Sequence, residues 1–299
     1  MGTENLNMDI RSYQKQFKEF LRAVFAVQSY FGDFFTGGLE ALDGVQHNET
    51  AFYVKTSDIP VVVRDNYDKG ANVAFGTGTS NSNRFGPRTE IIYTDTPVPY
   101  TWEWSYHEGI DRHTVNNAFD AAVAERLDLQ AQAKVRLFNR HHSAFIANAA
   151  GRTEGLASYG ADNVLALFNT MSAHFVNVEA QGTKVVKVRS DLYNAIVDHP
   201  LVTTGKHSAV NIDQNGIVSF KGFLIQEIPD ELLTVGANNY AAYAYITNMA
   251  KAFTGITTAR AIASEDFDGM ALQGAGKAGE FIQDDNKKAI IKVAAPVVP

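Results

Sequence analysis

The run Gly274-Ala275-Gly276-Lys277-Ala278-Gly279 is the first place where residue type and spacing suggest chemistry, because glycines beside a lysine can cradle a phosphate. That loop requires glycine at position 271 and a hydroxyl at 278, and both positions hold alanine. No long helix is predicted after the run to point its N-terminus at an anion. It reads instead as a loop of small residues that lets backbones approach closely. Gly76-Thr77-Gly78 lacks the third glycine of a dinucleotide fingerprint. His107 and His113 are six residues apart where a helical zinc pair needs four, and Gly109 weakens a helix between them. His141 and His142 diverge by ~100° on a helix, so both are expected on its surface. The stretches from Asp213 to Gly216 and from Asp266 to Gly269 fall short of a calcium loop's ligand series. No Gly-x-Ser-x-Gly elbow occurs, and no carboxylate spacing picks out an acid/base pair. The expectation is a non-enzyme with no catalytic, metal or cofactor-binding residues.

Composition agrees with an ordinary globular protein. The chain has 299 residues, 45% hydrophobic and 20% charged, enough for one large or two modest domains. A net charge of −7 argues against general binding to nucleic acid or anionic membrane. There is no cysteine, which excludes disulfides and thiolate metal sites. No stretch approaches the ~18 apolar residues of a membrane span.

The elements that must carry any site follow from periodicity. Residues 1–44 read as an arm, with Tyr13, Phe17, Phe20, Leu21, Val24 and Phe25 at helical spacing up to about Phe35, where Gly37 and Gly38 break the pattern. Such a helix either folds onto its own domain or packs on a neighbour. From Thr50 to Tyr106 the period shifts to two. Strands are predicted around Ala51 and Tyr53, from Ile59 to Val63, from Glu90 to Thr94 and from Pro97 to Tyr106. The polar stretch from Asp65 to Arg88 between them reads as an extended hairpin, whose backbone groups a partner can cover. Trp102 and Trp104 share a strand face with Tyr100 and Tyr106, suited to packing on a helix or, alternatively, to a carbohydrate platform.

A long helix is predicted from Val115 to Ala150, roughly 54 Å, with Val115, Phe119, Val123, Leu127, Ala131, Val135, Phe138 and Phe145 as its stripe. Thr114 or Asn116 can cap it. Its other face carries Asp120, Glu125, Arg126, Asp128, Lys134, Arg136 and Arg140. Beyond it, helix and strand alternate to about Ile262. A helix runs from Asp162 to Phe175, a strand from Val185 to Val188, and a helix from Asp191 to Val197 capped by Ser190. A tight Asn215-Gly216 hairpin follows, then strands from Phe223 to Ile228 and Ala241 to Thr247, giving a mixed sheet. A short strand closes the chain from Ala289 to Val293.

The blocks Asp266-Phe267-Asp268-Gly269, Leu272-Gln273-Gly274-Ala275-Gly276-Lys277 and Asn286-Lys287-Lys288-Ala289-Ile290 resemble the C-terminal segment of tailed-bacteriophage major capsid proteins of the HK97-like fold. The stretches 186–200, 212–230 and 243–256 match the order of blocks in that family's axial domain. The resemblance covers residues 45–299 and implies an α+β fold. Its parts are an N-terminal arm (1–44), a peripheral domain in three pieces (45–60, 94–152 with a spine helix, 263–299), an extended β-hairpin loop (61–93) and an axial mixed α/β domain (153–262).

It also implies a homo-oligomer of pentamers and hexamers in an icosahedral phage head around double-stranded DNA, bound without sequence specificity. The subunit would be a virion protein assembled in the bacterial host cytoplasm, meeting a portal protein and no membrane. Only about 44 residues precede the first strand, so a separate scaffolding protein is expected. The inter-subunit residues expected are Phe17 and Phe20 of the arm, the loop cations Arg64, Lys69, Arg84 and Arg88, and the helix acids Asp120, Glu125 and Asp128. Some relatives join a loop lysine to a neighbour's asparagine. Lys69 is the candidate here, but its polar turn does not lower a lysine pKa, and no link is expected. An encapsulin-type compartment shell shares the fold and stands as the alternative, with a non-catalytic carbohydrate-binding module as the second.

Overall fold

The computed structural model describes residues 27–42, 49–57, 59–69, 81–82, 84–87, 89–115, 119–200, 210–213 and 216–296. The chain divides into two compact units, Val45–Tyr100 and the remainder. In chain order the strands and helices begin with β1 (Phe35–Ala41), β2 (Thr50–Thr56), β3 (Asn81–Ser82), β4 (Gly86–Pro87), β5 (Thr94–Pro99) and β6 (Trp102–Asp111). Next come α1 (Arg112–Val115), α2 (Phe119–Ala149), β7 (Arg152–Gly155), α3 (Ala161–Asn177), β8 (Lys184–Val188) and α4 (Ser190–Val197). The remainder is β9 (Val210–Asp213), β10 (Gly216–Phe220), β11 (Phe223–Glu227), β12 (Thr234–Val235), β13 (Asn238–Ile246), β14 (Ala250–Ala263), β15 (Gly269–Ile282), α5 (Asp284–Lys287) and β16 (Ile290–Ala294).

The larger unit is organised by strand β13. Its residues alternate small and large, and both faces are buried. Ala242, Ala244 and Ile246 face α3 and α4, packing with Val164, Phe168, Met171, Leu192 and Ile196. Tyr243 and Tyr245 point the other way, into a cluster with Phe31, Phe34, Phe35, Ile146 and Leu232. Each buried valine, leucine, isoleucine, phenylalanine or methionine among these contributes about 1.5–3 kcal/mol. The sheet around β13 is mixed, ordered β7-β16-β13-β8-β11-β10-β9, with β12 paired to β13. β9 and β10 close the predicted hairpin, with Asp213 opposite Gly216.

A second sheet is ordered β1-β14-β15-β6. Here the structure departs from sequence expectation most. The small-residue run expected as a loop is the middle of strand β15, paired on both sides. Close approach is still its physical role: a Cβ on Gly274 would lie 2.2 Å from the Tyr106 ring, and one on Gly276 2.6 Å from the Trp104 ring. Sheet membership also cuts across the sequence blocks. β14, grouped above with residues 153–262, pairs with β15, while β16 joins the sheet of β13.

Other local expectations change for similar reasons. Residues 27–29 have no regular structure, 30–34 form a turn, and Gly37 and Gly38 lie inside β1. Their φ values of 74° and 71° form a bulge between the pairs Phe35–Ala250 and Leu39–Ala252. Residues 61–63 and 89–93 are not strands. Ser190 does not cap α4; its backbone N–H donates to Asp230 Oδ1 at 3.0 Å, a cap supplied from 40 residues away. Thr114 lies within α1, where Asp111 Oδ1 accepts from the His113 N–H, and Asn116 lies outside the described residues.

The long helix α2 buries only its C-terminal third. Phe138, His142, Ile146 and Ala149 recur at helical spacing and are covered, whereas Leu127 and Leu129 are 44% and 36% exposed. It ends before Gly151, whose N–H donates to Lys287 O and whose Cβ, if present, would sit 2.5 Å from that oxygen. His142, expected on the surface, is buried because the helix end is wedged between residues 30–35 and β15.

Candidate assembly surfaces

The smaller unit is a two-stranded ribbon with a long excursion. β2 pairs antiparallel to β5, supported by a Thr56–Thr96 hydroxyl contact and a Lys55–Asp95 ion pair at 3.4 Å. Beyond it, the β3–β4 ladder is two residues long on each strand. Arg84 Nη1 donates to Asp68 O, and its guanidinium lies over the Tyr67 ring, which meets Phe85 edge-on. Arg64 Nη1 donates to Phe85 O at 2.9 Å. These two loop arginines therefore hold their own excursion together while remaining part of its surface. Lys69 is exposed; Arg88, Phe17 and Phe20 lie outside the described residues. Val61, Val62, Val63, Ile91, Ile92 and Tyr93 are each 53–87% exposed, an unusual apolar content for a surface that stays in water.

The larger unit carries the helix acids. Asp120 and Asp128 are exposed and Glu125 is half-buried. Arg126 is not free to join them: its Nε donates to Glu108 Oε2 at 2.6 Å, and Gln130 donates to the same oxygen. The Arg126 hydrogen bond, foremost, holds the Glu108 carboxyl below its ordinary range. The predicted strand face of Trp102 and Trp104 packs on α2. Trp102 meets Phe138 edge-on at 4.8 Å and stacks on His141 at 3.8 Å, and Lys134 Nζ sits 4.1 Å from the Trp104 ring centre. With Trp104 only 8% exposed, this pair is not an open glycan platform. Burial lowers the pKa of both His141 and Lys134.

Behind this face lies a buried polar cluster that no motif signals. Glu280 of β15 faces His142 Nδ1 at 3.0 Å and accepts from Trp102 Nε1 and Thr101 Oγ1. A second cluster anchors the start of the described chain. Lys187 is 1% exposed and pairs with Asp33 Oδ2 at 3.0 Å, while Tyr245 Oη donates to Asp33 Oδ1. Burial, the largest influence, pushes the Lys187 ammonium down and Asp33 opposes it. Asn139 completes the anchor, accepting from the Tyr30 N–H and donating to Gln28 O. Phe31, Phe34 and Phe35 of the expected arm thus pack in this chain's own core.

The two histidines considered as a zinc pair each meet another side chain. His107 meets Gln273 at 3.1 Å, and His113 pairs with Asp268 at 3.4 Å. Among the described residues no group of three histidine, aspartate or glutamate side chains could hold a metal ion, and no helix is long and apolar enough to cross a membrane.

No protein-family model and no curated protein matches the chain. Solved structures do. The capsid structure of cyanophage P-SCSP1u superposes with a TM-score of 0.66 at 13% identity, over 91% of this chain and 89% of that one. A structure from Mycobacterium phage Che8 gives 0.62 at 13% identity, over 90% and 92%. The mature capsid of bacteriophage PhiM1 gives 0.60 at 13% identity, over 92% and 89%. The chain therefore has, over nearly its whole length, the fold of these phage proteins, two of them from capsids.

Proposed function

We propose that this protein is the structural subunit of a phage head shell, assembling as pentamers and hexamers around double-stranded DNA. The observation that carries the proposal is a fold shared over about nine-tenths of both chains with phage capsids. The exposed apolar residues of the smaller unit support it, since a shell buries them against neighbours. In this proposal the sheet around β13, with α3 and α4, forms capsomer centres, and the sheet of β14 and β15 with α2 forms the outer layer. Residues 61–93 and the N-terminal segment overlap adjacent subunits. Head-to-tail contacts of this kind close into rings and then shells.

The function is association and not turnover, so many weak contacts repeated over a shell supply its stability. Arg64, Lys69, Arg84 and Arg88 meet Asp120, Glu125 and Asp128 of a neighbour, each exposed pair contributing roughly 0–1 kcal/mol. A net charge of −7 keeps the wall from gripping the packaged polyanion. A separate scaffolding protein directs assembly, and a portal occupies one vertex. Electron microscopy of the purified protein, alone and with any coiled-coil protein encoded beside it, tests the proposal. Shells, rings of five or six, tubes or sheets support it, and a monomer under every condition refutes it. The genes beside this one, for a terminase and portal or for a cargo enzyme, separate a phage head from a compartment shell. Assembly that survives charge reversal of Arg84 and Arg88 removes the loop–helix pairing.

A further inference from the structure

Between β6 and α2 lies a cleft of ≈390 Å³ whose lining includes Trp104, Tyr106, Leu129, Lys134, Arg136 and Leu137. Its volume is at the lower end of sites that accept a small ligand (~300–1,000 Å³) and suits one or two side chains. Its charges do not balance. Glu108, also on the wall, is neutralised by Arg126 and bonded by Gln130. Lys134 and Arg136 remain, and among the described residues neither has a carboxylate partner. The indole N–H of Trp104 and Oε1 of Gln130 are buried with no hydrogen-bond partner, although Trp104 is 92% buried. A half-buried ammonium over an indole face, a second cation and leucine walls fit a carboxylate carried beside apolar side chains.

We propose that this cleft receives Glu90 of a second copy of the chain, with Ile91, Ile92 and Tyr93 covering the apolar walls. The inference rests on the shell proposal and deepens it. The described residues contain two runs of three exposed large apolar side chains, at 61–63 and 91–93. The first continues into a cation, Arg64, and the second is preceded by Glu90, an exposed carboxylate without an ion pair among the described residues. A cleft with two unbalanced cations selects the second run. The sign is opposite to the pairing of loop cations with helix acids, so the two contacts are separable by mutation.

The test is assembly of the full chain as a function of concentration, followed by sedimentation, for Lys134→Glu, Glu90→Lys and the double variant. Each single change is expected to raise the concentration needed for assembly by roughly tenfold or more, and the double change to restore it. Glu90 lies in an exposed stretch, so its variant folds even if Lys134→Glu does not. Singles that assemble like the parent, or a double no better than the singles, overturn the inference while leaving the shell proposal standing. A parent chain that never assembles sinks the shell proposal itself.

Discussion

Adding one methyl group to β15 tests the register that joins the cleft to the sheet. A Cβ on Gly276 would lie 2.6 Å from Cζ2 and 2.8 Å from Nε1 of Trp104, so the indole must move by about 1 Å to restore ordinary contact. It has little room, because Lys134 lies over the ring and Phe138 and Ala278 share its cluster. Overpacking of this kind costs about 1–3 kcal/mol. Replacing glycine restricts the unfolded chain and returns about 0.4–1 kcal/mol. Gly276→Ala is therefore expected to lose about 1–2 kcal/mol. Gly274→Ala is the control: its Cβ would meet the far end of the Tyr106 ring, 2.5 Å from Oη. Tyr106 is only half-buried and can swing aside, so the net change is expected within about 0.5 kcal/mol. Urea unfolding followed by tryptophan emission reads both, since Trp102 and Trp104 are the chain's two tryptophans. Parent-like stability of Gly276→Ala, or a larger loss at Gly274, would refute the reasoning.

Three further predictions use the same assay. Asp33→Ala leaves the Lys187 ammonium buried and is expected to cost about 2–4 kcal/mol at pH 7, with much of the loss recovered by adding Lys187→Met. Without Asp33 the Lys187 pKa falls further below the ~10.4 of an unfolded lysine, so the unfolded state binds more protons and stability rises with pH. The deficit should shrink between pH 7 and pH 9.5, and an unchanged deficit contradicts the buried-ammonium account. Glu280→Ala removes the partner of the buried His142 and of the half-buried Trp102 N–H and should cost about 1–3 kcal/mol, Glu280→Gln about half; a loss below 1 kcal/mol for alanine counts against the cluster. Glu108 is held below its ordinary range by Arg126, so its stabilisation is present above the unfolded pKa and lost as pH falls through the folded one. Glu108→Gln should cost about 0.5–1 kcal/mol at neutral pH, with the difference vanishing in acid.

Much of the architecture is written in short-range pattern. The amphipathic run behind α2, the apolar spacing of α3, the strand forming β8 and the antiparallel pairing of β9 with β10 are each decided by residues within a few positions of one another. The aromatic face of Trp102 and Trp104 is legible for the same reason, as alternation along one strand. β15 is not, because glycine and alanine have weak strand preference, and only the rings of Tyr106 and Trp104 on the paired strand make those small residues fit. Nor could a histidine on a helix announce burial. His142 is covered because Glu280, 138 residues away, and Phe35 are brought against it. The unbalanced pair Lys134 and Arg136 looks in sequence like any solvated helix face, and becomes a cleft when β6 closes beside it. Periodicity determined helices α2 and α3 and strands such as β8, but not β15 or the extended stretches at 61–63 and 91–93. The pairing of strands distant in sequence decided which polar groups lost water, since burial depends on what arrives from the far end of the chain.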